Sequence, residues 1–215
     1  MDAAPRPGPA PGPGEQRNLG PPVTPRQAAS VILLRGGQDA LEILLVKRNP
    51  EARFMGGAWV FPGGAVDPAE GGGDCAHRAA ALRELQEEAG VVLDGPDRLV
   101  KFSRWITPAE VTIRYDTHFF LAPMPDGATA QADGQECVAA RWFTPAAALQ
   151  AHRDGEILLV FPTIKHLEQL ATFPSASAVI EHARRHDVVP VEPRVLFSGE
   201  TARVVLPGEP GYDGD

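Results

Sequence analysis

Residues 76–89 restrict the fold of this chain more than any other stretch. The run Ala76-His-Arg-Ala-Ala-Ala-Leu-Arg-Glu-Leu-Gln-Glu-Glu-Ala89 consists of strong helix formers, and Gly90 stands where a helix C-cap belongs. At 3.6 residues per turn, Glu84, Glu87 and Glu88 fall at i, i+3 and i+4 and share one face. Leu82, Leu85 and Ala89 look roughly the other way, toward a core. Carboxylates stacked like this repel by a few tenths of a kcal/mol per pair. Such a face is either a solvated acidic surface or a holder for a hard divalent cation, which takes oxygen ligands and cancels the repulsion. The glycine-rich Pro62-Gly63-Gly64 nearby favours the cation.

The flanking pattern is that of a mixed α/β (α+β) domain. Ser30–Leu34 and Leu41–Val46 are β-rich runs around the turn chemistry of Gly36-Gly37-Gln38-Asp39, and they read as a hairpin. Ala58–Phe61 is a short apolar run stopped by Pro62. Further strands are expected around Leu99–Ile106, Thr117–Ala122 and Glu136–Phe143. Thr144-Pro145 opens a helix, with Thr as N-cap and Pro at the first position. Two more helical stretches lie between Phe161 and Arg185, broken near Pro174. Val195–Phe197 and Arg203–Leu206 look like late strands. Strands flanking helices without strict alternation suit a layered sandwich.

Residues 1–25 alternate proline with glycine and alanine, which removes donors and fixes φ, so this segment is expected to be a disordered tail. The expected organisation is this tail, a main domain over 26–160 and a helical extension over 161–215 packed on it. The formal net charge is −8, which argues against nucleic-acid or membrane surfaces as partners while leaving room for a small anionic ligand in a locally positive pocket. No run reaches the roughly 20 apolar residues of a membrane helix. The two cysteines, Cys75 and Cys137, have no close spacing and suit reduced thiols in a cytoplasmic protein. Of the six histidines only His182 and His186 have a metal-like i, i+4 spacing, on an arginine-rich helix.

Arg83-Glu84-Leu85-x-Glu87-Glu88-x-Gly90-Val91 resembles the second half of the Nudix box, G-x5-E-x7-R-E-U-x-E-E-x-G-U with U aliphatic. Gly64 and Glu70 match its first half, but twelve residues instead of seven separate Glu70 from Arg83. The extra Gly71-Gly72-Gly73 reads as a lengthened loop. The resemblance implies a Nudix α/β/α sandwich with a mixed sheet, and a hydrolase that needs Mg²⁺ or Mn²⁺ to split a diphosphate linkage with water. It implies Glu84, Glu87 and Glu88 as metal ligands or as the activator of the attacking water, with Glu84 and Glu87 catalytic and the carbonyl of Gly63 as an additional ligand. Arg83 would orient a glutamate. Glu136, a few residues ahead of Trp142, would serve as the later-strand carboxylate; it also reads as a solvent-facing strand residue.

Upstream, Leu44-Leu45-Val46-Lys47-Arg48-Asn49-x3-Arg53-x3-Gly57-x3-Phe61-Pro62-Gly63-Gly64 resembles the signature of the coenzyme A diphosphatase branch, with Val46 and Asn49 replacing its Thr and Ser. Leu206-Pro207-Gly208-Glu209-x2-Tyr212 and the helical C-terminal part resemble the longer type of that branch. Arg48 and Arg53 are then the expected substrate-binding pair, suited to a phosphate beyond the cleaved diphosphate. The implied substrate is coenzyme A or an acyl derivative. ADP-ribose or another nucleoside-diphosphate sugar is the same-class alternative, although Pro108 is not where ADP-ribose enzymes usually carry a proline. A silent ligand sensor of Nudix fold is the different-class alternative, disfavoured because all three helix glutamates are kept. A homodimer is left open.

Overall fold

The apolar runs become strands covered on both faces. The computed structural model describes residues 16–37, 40–198 and 201–213; residues 1–15 of the expected tail and the Gln38-Asp39 half of the expected turn lie outside them. In β1 (Arg26–Arg35) and β2 (Glu42–Arg48), alternate side chains enter two separate cores. Ile32, Leu34, Ile43 and Leu45 join one cluster, while Val31, Leu33, Leu44 and Val46 join the other. That is why these strands read as continuous apolar runs.

The other strands of the main sheet are β3 (Ala58–Val60), β4 (Gly63–Ala65), β5 (Val100–Ile106), β6 (Tyr115–Pro123), β7 (Cys137–Phe143), β8 (Leu158–Leu159) and β9 (Pro190–Val191), which give a nine-stranded mixed sheet. α1 (Gly73–Ala89) covers one face through Ala80, Ala81, Leu85 and Ala89. α2 (Pro145–Arg153), α3 (Phe161–Leu170) and α4 (Ala176–Arg185) cover the other through Ala148, Leu167, Leu170 and Val179. The result is the expected α/β/α sandwich. Thr144 caps α2 by accepting from the Ala147 N–H, and Gly90 ends α1 in the left-handed region at φ 66°.

The expected β1–β2 hairpin is mostly replaced by other pairings. The two strands meet only at Leu34–Ile43 and Arg35–Glu42. Then they splay: β1 pairs with β4 over Ala28–Ser30, and β2 pairs with β3 at Val46 and Lys47. Their outer edges hold β6, parallel to β1, and β7, antiparallel to β2. The gap between the splayed strands is where the site forms.

Beyond residue 161 the two expected helices and the two expected late strands form, together with a short strand, β9, that was not expected. The helices supply part of the core, β9 joins β5, and the late strands form a separate antiparallel pair, β10 (Arg194–Ser198) with β11 (Thr201–Val205). The tail assignment reaches too far. The Asn18 N–H donates to the Glu110 carbonyl at 2.7 Å, the Thr112 N–H to the Gln16 carbonyl at 3.0 Å, and the Arg17 guanidinium lies 4.1 Å from the Phe197 ring centroid. Residues 16–25 therefore run over the domain surface, because their backbone groups find partners in the β5–β6 connection. Both cysteines are unpaired, Cys75 exposed and Cys137 buried. Among the described residues no helix is long and apolar enough to cross a membrane.

Candidate active site

The glycine doublet of β4 is a requirement of space. A Cβ on Gly63 would sit 2.5 Å from the Ala29 carbonyl oxygen and 2.6 Å from Ser30 Cα. A Cβ on Gly64 would sit 2.3 Å from Glu84 Oε1. β4 thus lies flat against β1 on one side and against the α1 carboxylates on the other.

The three helix glutamates occupy different environments, which the shared helix face did not reveal. Glu88 is 1% exposed; its Oε2 accepts the Gly63 N–H at 2.8 Å, while Oε1 is buried without a hydrogen bond, 3.6 Å from Arg48 Nη1. Burial pushes its carboxyl up to about 7, with the charge of Glu84 adding to the effect and the Gly63 N–H and Arg48 opposing it. Glu84 is 8% exposed and accepts from Arg83 Nη1 at 2.7 Å; burial raises its pKa and Arg83 works against the rise. Glu87 is exposed and accepts from the same Nη1 at 2.9 Å.

Arg83 gathers the group. It donates to Glu70 Oε1 at 2.9 Å and to the Ala65 carbonyl at 3.0 Å as well as to both glutamates. Glu70 reaches it in spite of the lengthened loop. Asp67 and Glu70 close a capping box around a short 3-10 turn at Pro68–Glu70. The insertion then leaves through Gly71 and Gly73, at φ 84° and 68°, and α1 begins at Gly73 instead of Ala76. The extra residues are absorbed in a bulging turn and one more helical turn, so the Glu70–Arg83 pair survives. Glu136, one residue before β7, pairs with Arg48 Nη2 at 3.2 Å. Its backbone N–H donates to Asp133 Oδ2 at 2.9 Å, which fixes the approach to the strand.

Arg48, Gly63, Gly64, Arg83, Glu84, Glu87 and Glu136 line one wall of a cavity of about 490 Å³. Glu88 does not line it and sits behind Gly63. Of the two expected substrate-binding arginines, Arg48 is among the cavity-lining residues and Arg53 is not. Arg48 turns into the carboxylates, whereas Arg53 is exposed on the β2–β3 loop beside the cavity-lining Phe54 and Met55, with no ion pair among the described residues. Proximity of Glu88 and Glu136 explains this, since a guanidinium follows the nearest uncompensated charge.

The rest of the cavity was invisible in the sequence. Phe54, Trp105, Tyr115, Phe119 and Phe161 line it, and so do Val195 and Val204 from the C-terminal strands. Met55 also lines it at φ 54°, a left-handed conformation that side chains seldom adopt. That positive φ has no sequence signal, and the aromatics come from separate segments. His182 and His186 stack at 3.9 Å with no third metal-binding side chain beside them among the described residues, so their spacing leads to no site.

By charge and oxygen chemistry the donor set suits a hard divalent cation, although the carboxylates are drawn onto Arg48 and Arg83 and no three of them converge as a ready ligand group among the described residues. Glu70, Glu84, Glu87, Glu88 and Glu136 present carboxylates to only two guanidiniums, Arg48 and Arg83. The excess negative charge, and the unpartnered buried oxygen on Glu88, call for a cation with oxygen ligands.

A three-layer fold thus sets a glutamate-rich helix beneath a glycine doublet, open to a cavity. The chain belongs to the Nudix family: the NUDIX domain model matches residues 24–161. A Nudix hydrolase structure from Alicyclobacillus acidocaldarius superimposes with a TM-score of 0.66 at 27% identity, covering 74% of this chain and 96% of that one. A candidate Nudix hydrolase of Caenorhabditis elegans is 28% identical over 68% of this chain, which spans 60% of that relative's length. The human acyl-coenzyme A diphosphatase NUDT19 is 23% identical, over 87% of this chain and 80% of its own.

Proposed function

We propose that this Nudix hydrolase cleaves the diphosphate of coenzyme A or an acyl-coenzyme A, giving 3′,5′-ADP and (acyl)phosphopantetheine. The observation that carries this reading is the cavity lining: a charged group around Arg48 and Arg83, and elsewhere mostly apolar side chains with the hydroxyls of Ser30, Thr107, Tyr115, Thr117 and Thr163 among them. The apolar stretch suits an alkyl or acyl chain, which needs no hydrogen-bond partner, while hydroxyls in the lining are available to the amides and hydroxyl of a pantetheine arm. The similarity to the human acyl-coenzyme A diphosphatase supports the same reading, because it extends over more of the chain than the residues up to 161 could supply.

Glu84, Glu87, Glu88 and the Gly63 carbonyl would hold Mg²⁺ or Mn²⁺, which supplies positive charge to the phosphate oxygens and acidifies the attacking water. Arg83 fixes Glu84 and Glu87 in place. Glu136 faces the cavity at its rim, with one oxygen on Arg48 and the other free to take a proton from water. Arg53, exposed on the β2–β3 loop, would meet a phosphate beyond the diphosphate. The test is a metal-dependent hydrolysis panel of coenzyme A, acyl-coenzyme A, ADP-ribose, NADH and diadenosine polyphosphates, with the products identified. Coenzyme A compounds should be preferred, and Glu87→Gln should lower kcat on them by about two decades. Preference for ADP-ribose would replace the substrate assignment, and full turnover by Glu87→Gln would refute the role of that residue.

A further inference from the structure

The cavity has a second wall with chemistry of its own. Val195 and Val204 are register partners in the β10–β11 pair, and both face the cavity. Trp105, Ile106, Phe161 and Pro193 continue the surface. No charged side chain interrupts it, and the Thr107 hydroxyl beside it is already committed, donating to the Tyr115 carbonyl and accepting the Tyr115 N–H at 3.2 and 3.0 Å.

This pair of strands stands apart from the main sheet, and polar contacts near its root fix it. The Val195 N–H donates to Glu110 Oε2 at 3.3 Å, and Arg194 lies 3.7 Å from Glu110 Oε1. Just ahead, Glu192 accepts from the buried Arg114 at 2.6 Å, and Arg114 also donates to the Val23 carbonyl at 2.7 Å. The root is thus tied both to the β5–β6 connection and to the N-terminal segment. Side chains alternate along each strand, so a strand held at its root presents a fixed set to the cavity.

We propose that the β10–β11 pair is the acyl-chain wall of this enzyme: Val195 and Val204 receive the alkyl chain of an acyl thioester whose phosphates lie against the charged wall. The proposal rests on the coenzyme A reading given above and adds the element that selects chain length. An adenine in the same place would leave its ring nitrogens and amino group without partners, whereas an alkyl chain needs none. Each methylene that enters should tighten binding about 4-fold until the space is full.

The test uses reaction products, which bind without turnover. Dissociation constants are measured by calorimetry for phosphopantetheine and its acetyl, hexanoyl and decanoyl thioesters. Affinity should climb along the series in the wild type. Val204→Asp should cut the decanoyl-to-acetyl affinity ratio by at least about tenfold. Val204→Trp, which adds volume without charge, should move the optimum to shorter chains and serves if the aspartate variant does not fold. A flat series in the wild type, an unchanged ratio in the folded variants, or a loss confined to 3′,5′-ADP would overturn the proposal. The substrate reading fails separately: absence of coenzyme A hydrolysis in the panel refutes it even where chain-length-dependent binding is found.

Discussion

Replacing Gly63 and Gly64 by alanine, one at a time, adds the same methyl group at adjacent positions of β4 against different neighbours. At Gly63 the new Cβ would meet backbone: the Ala29 oxygen at 2.5 Å and Ser30 Cα at 2.6 Å. Neither can yield without opening the β1–β4 pairing, so Gly63→Ala should cost about 1–3 kcal/mol. For a chain of this size that is roughly 2–12 °C in Tm. At Gly64 the obstacle is the Glu84 carboxylate, 2.3 Å away, where ordinary contact begins at 3.4 Å. The carboxylate must retreat by about 1 Å, which disturbs the 2.7 Å hydrogen bond it accepts from Arg83. A misplacement of about 1 Å can cost on the order of 100-fold in turnover. Gly64→Ala should therefore lose about two decades in kcat/KM and weaken Mn²⁺ binding, while its stability without metal changes by less than about 1 kcal/mol. Urea melts in chelator, calorimetric Mn²⁺ titration and hydrolysis assays read the three quantities. A Gly64→Ala enzyme of near-normal turnover, or a Gly63→Ala protein as stable as the wild type, would refute the steric reasoning.

Other consequences can be checked in parallel. Burial raises the Glu88 carboxyl from 4.5 to about 7, so between those values the unfolded chain binds fewer protons than the folded one. Stability without metal should fall as pH rises through that window, by up to about 3 kcal/mol, and level off above it; Glu88→Gln should flatten the slope in urea melts, and an unchanged slope would clear Glu88 of the effect. Deleting residues up to 24 removes the contacts of Asn18, Arg17 and Val23, and should cost about 1–2 kcal/mol by denaturant titration; equal stability would mean that the segment adds nothing. Arg53→Ala should lower kcat/KM for coenzyme A by about 10- to 150-fold and do much less to 3′-dephospho-coenzyme A. An equal fall for both substrates would exclude Arg53 as the reader of the 3′-phosphate.

The sequence by itself determined the parts of this protein whose causes are local. Helix formers followed by Gly90 determined α1, Thr144-Pro145 determined the start of α2, and the spacing of Glu84, Glu87 and Glu88 determined that carboxylates would cluster. Turn chemistry, capping and helical period act over a few residues, so they can be read in order along the chain. Tertiary structure decided whatever depends on which distant segments meet. It separated Glu88, buried behind Gly63, from the exposed Glu87 one position away, and it returned Glu70 to Arg83 across an insertion that by length alone would have parted them. It turned Arg48 inward and left Arg53 outside. It opened the expected β1–β2 hairpin, because β4 and β3 compete for the same strand edges and one strand edge can satisfy only one partner at each position. And it built the apolar wall from Trp105, Phe161, Val195 and Val204, four residues from four segments, whose common surface exists only once the chain has closed around it.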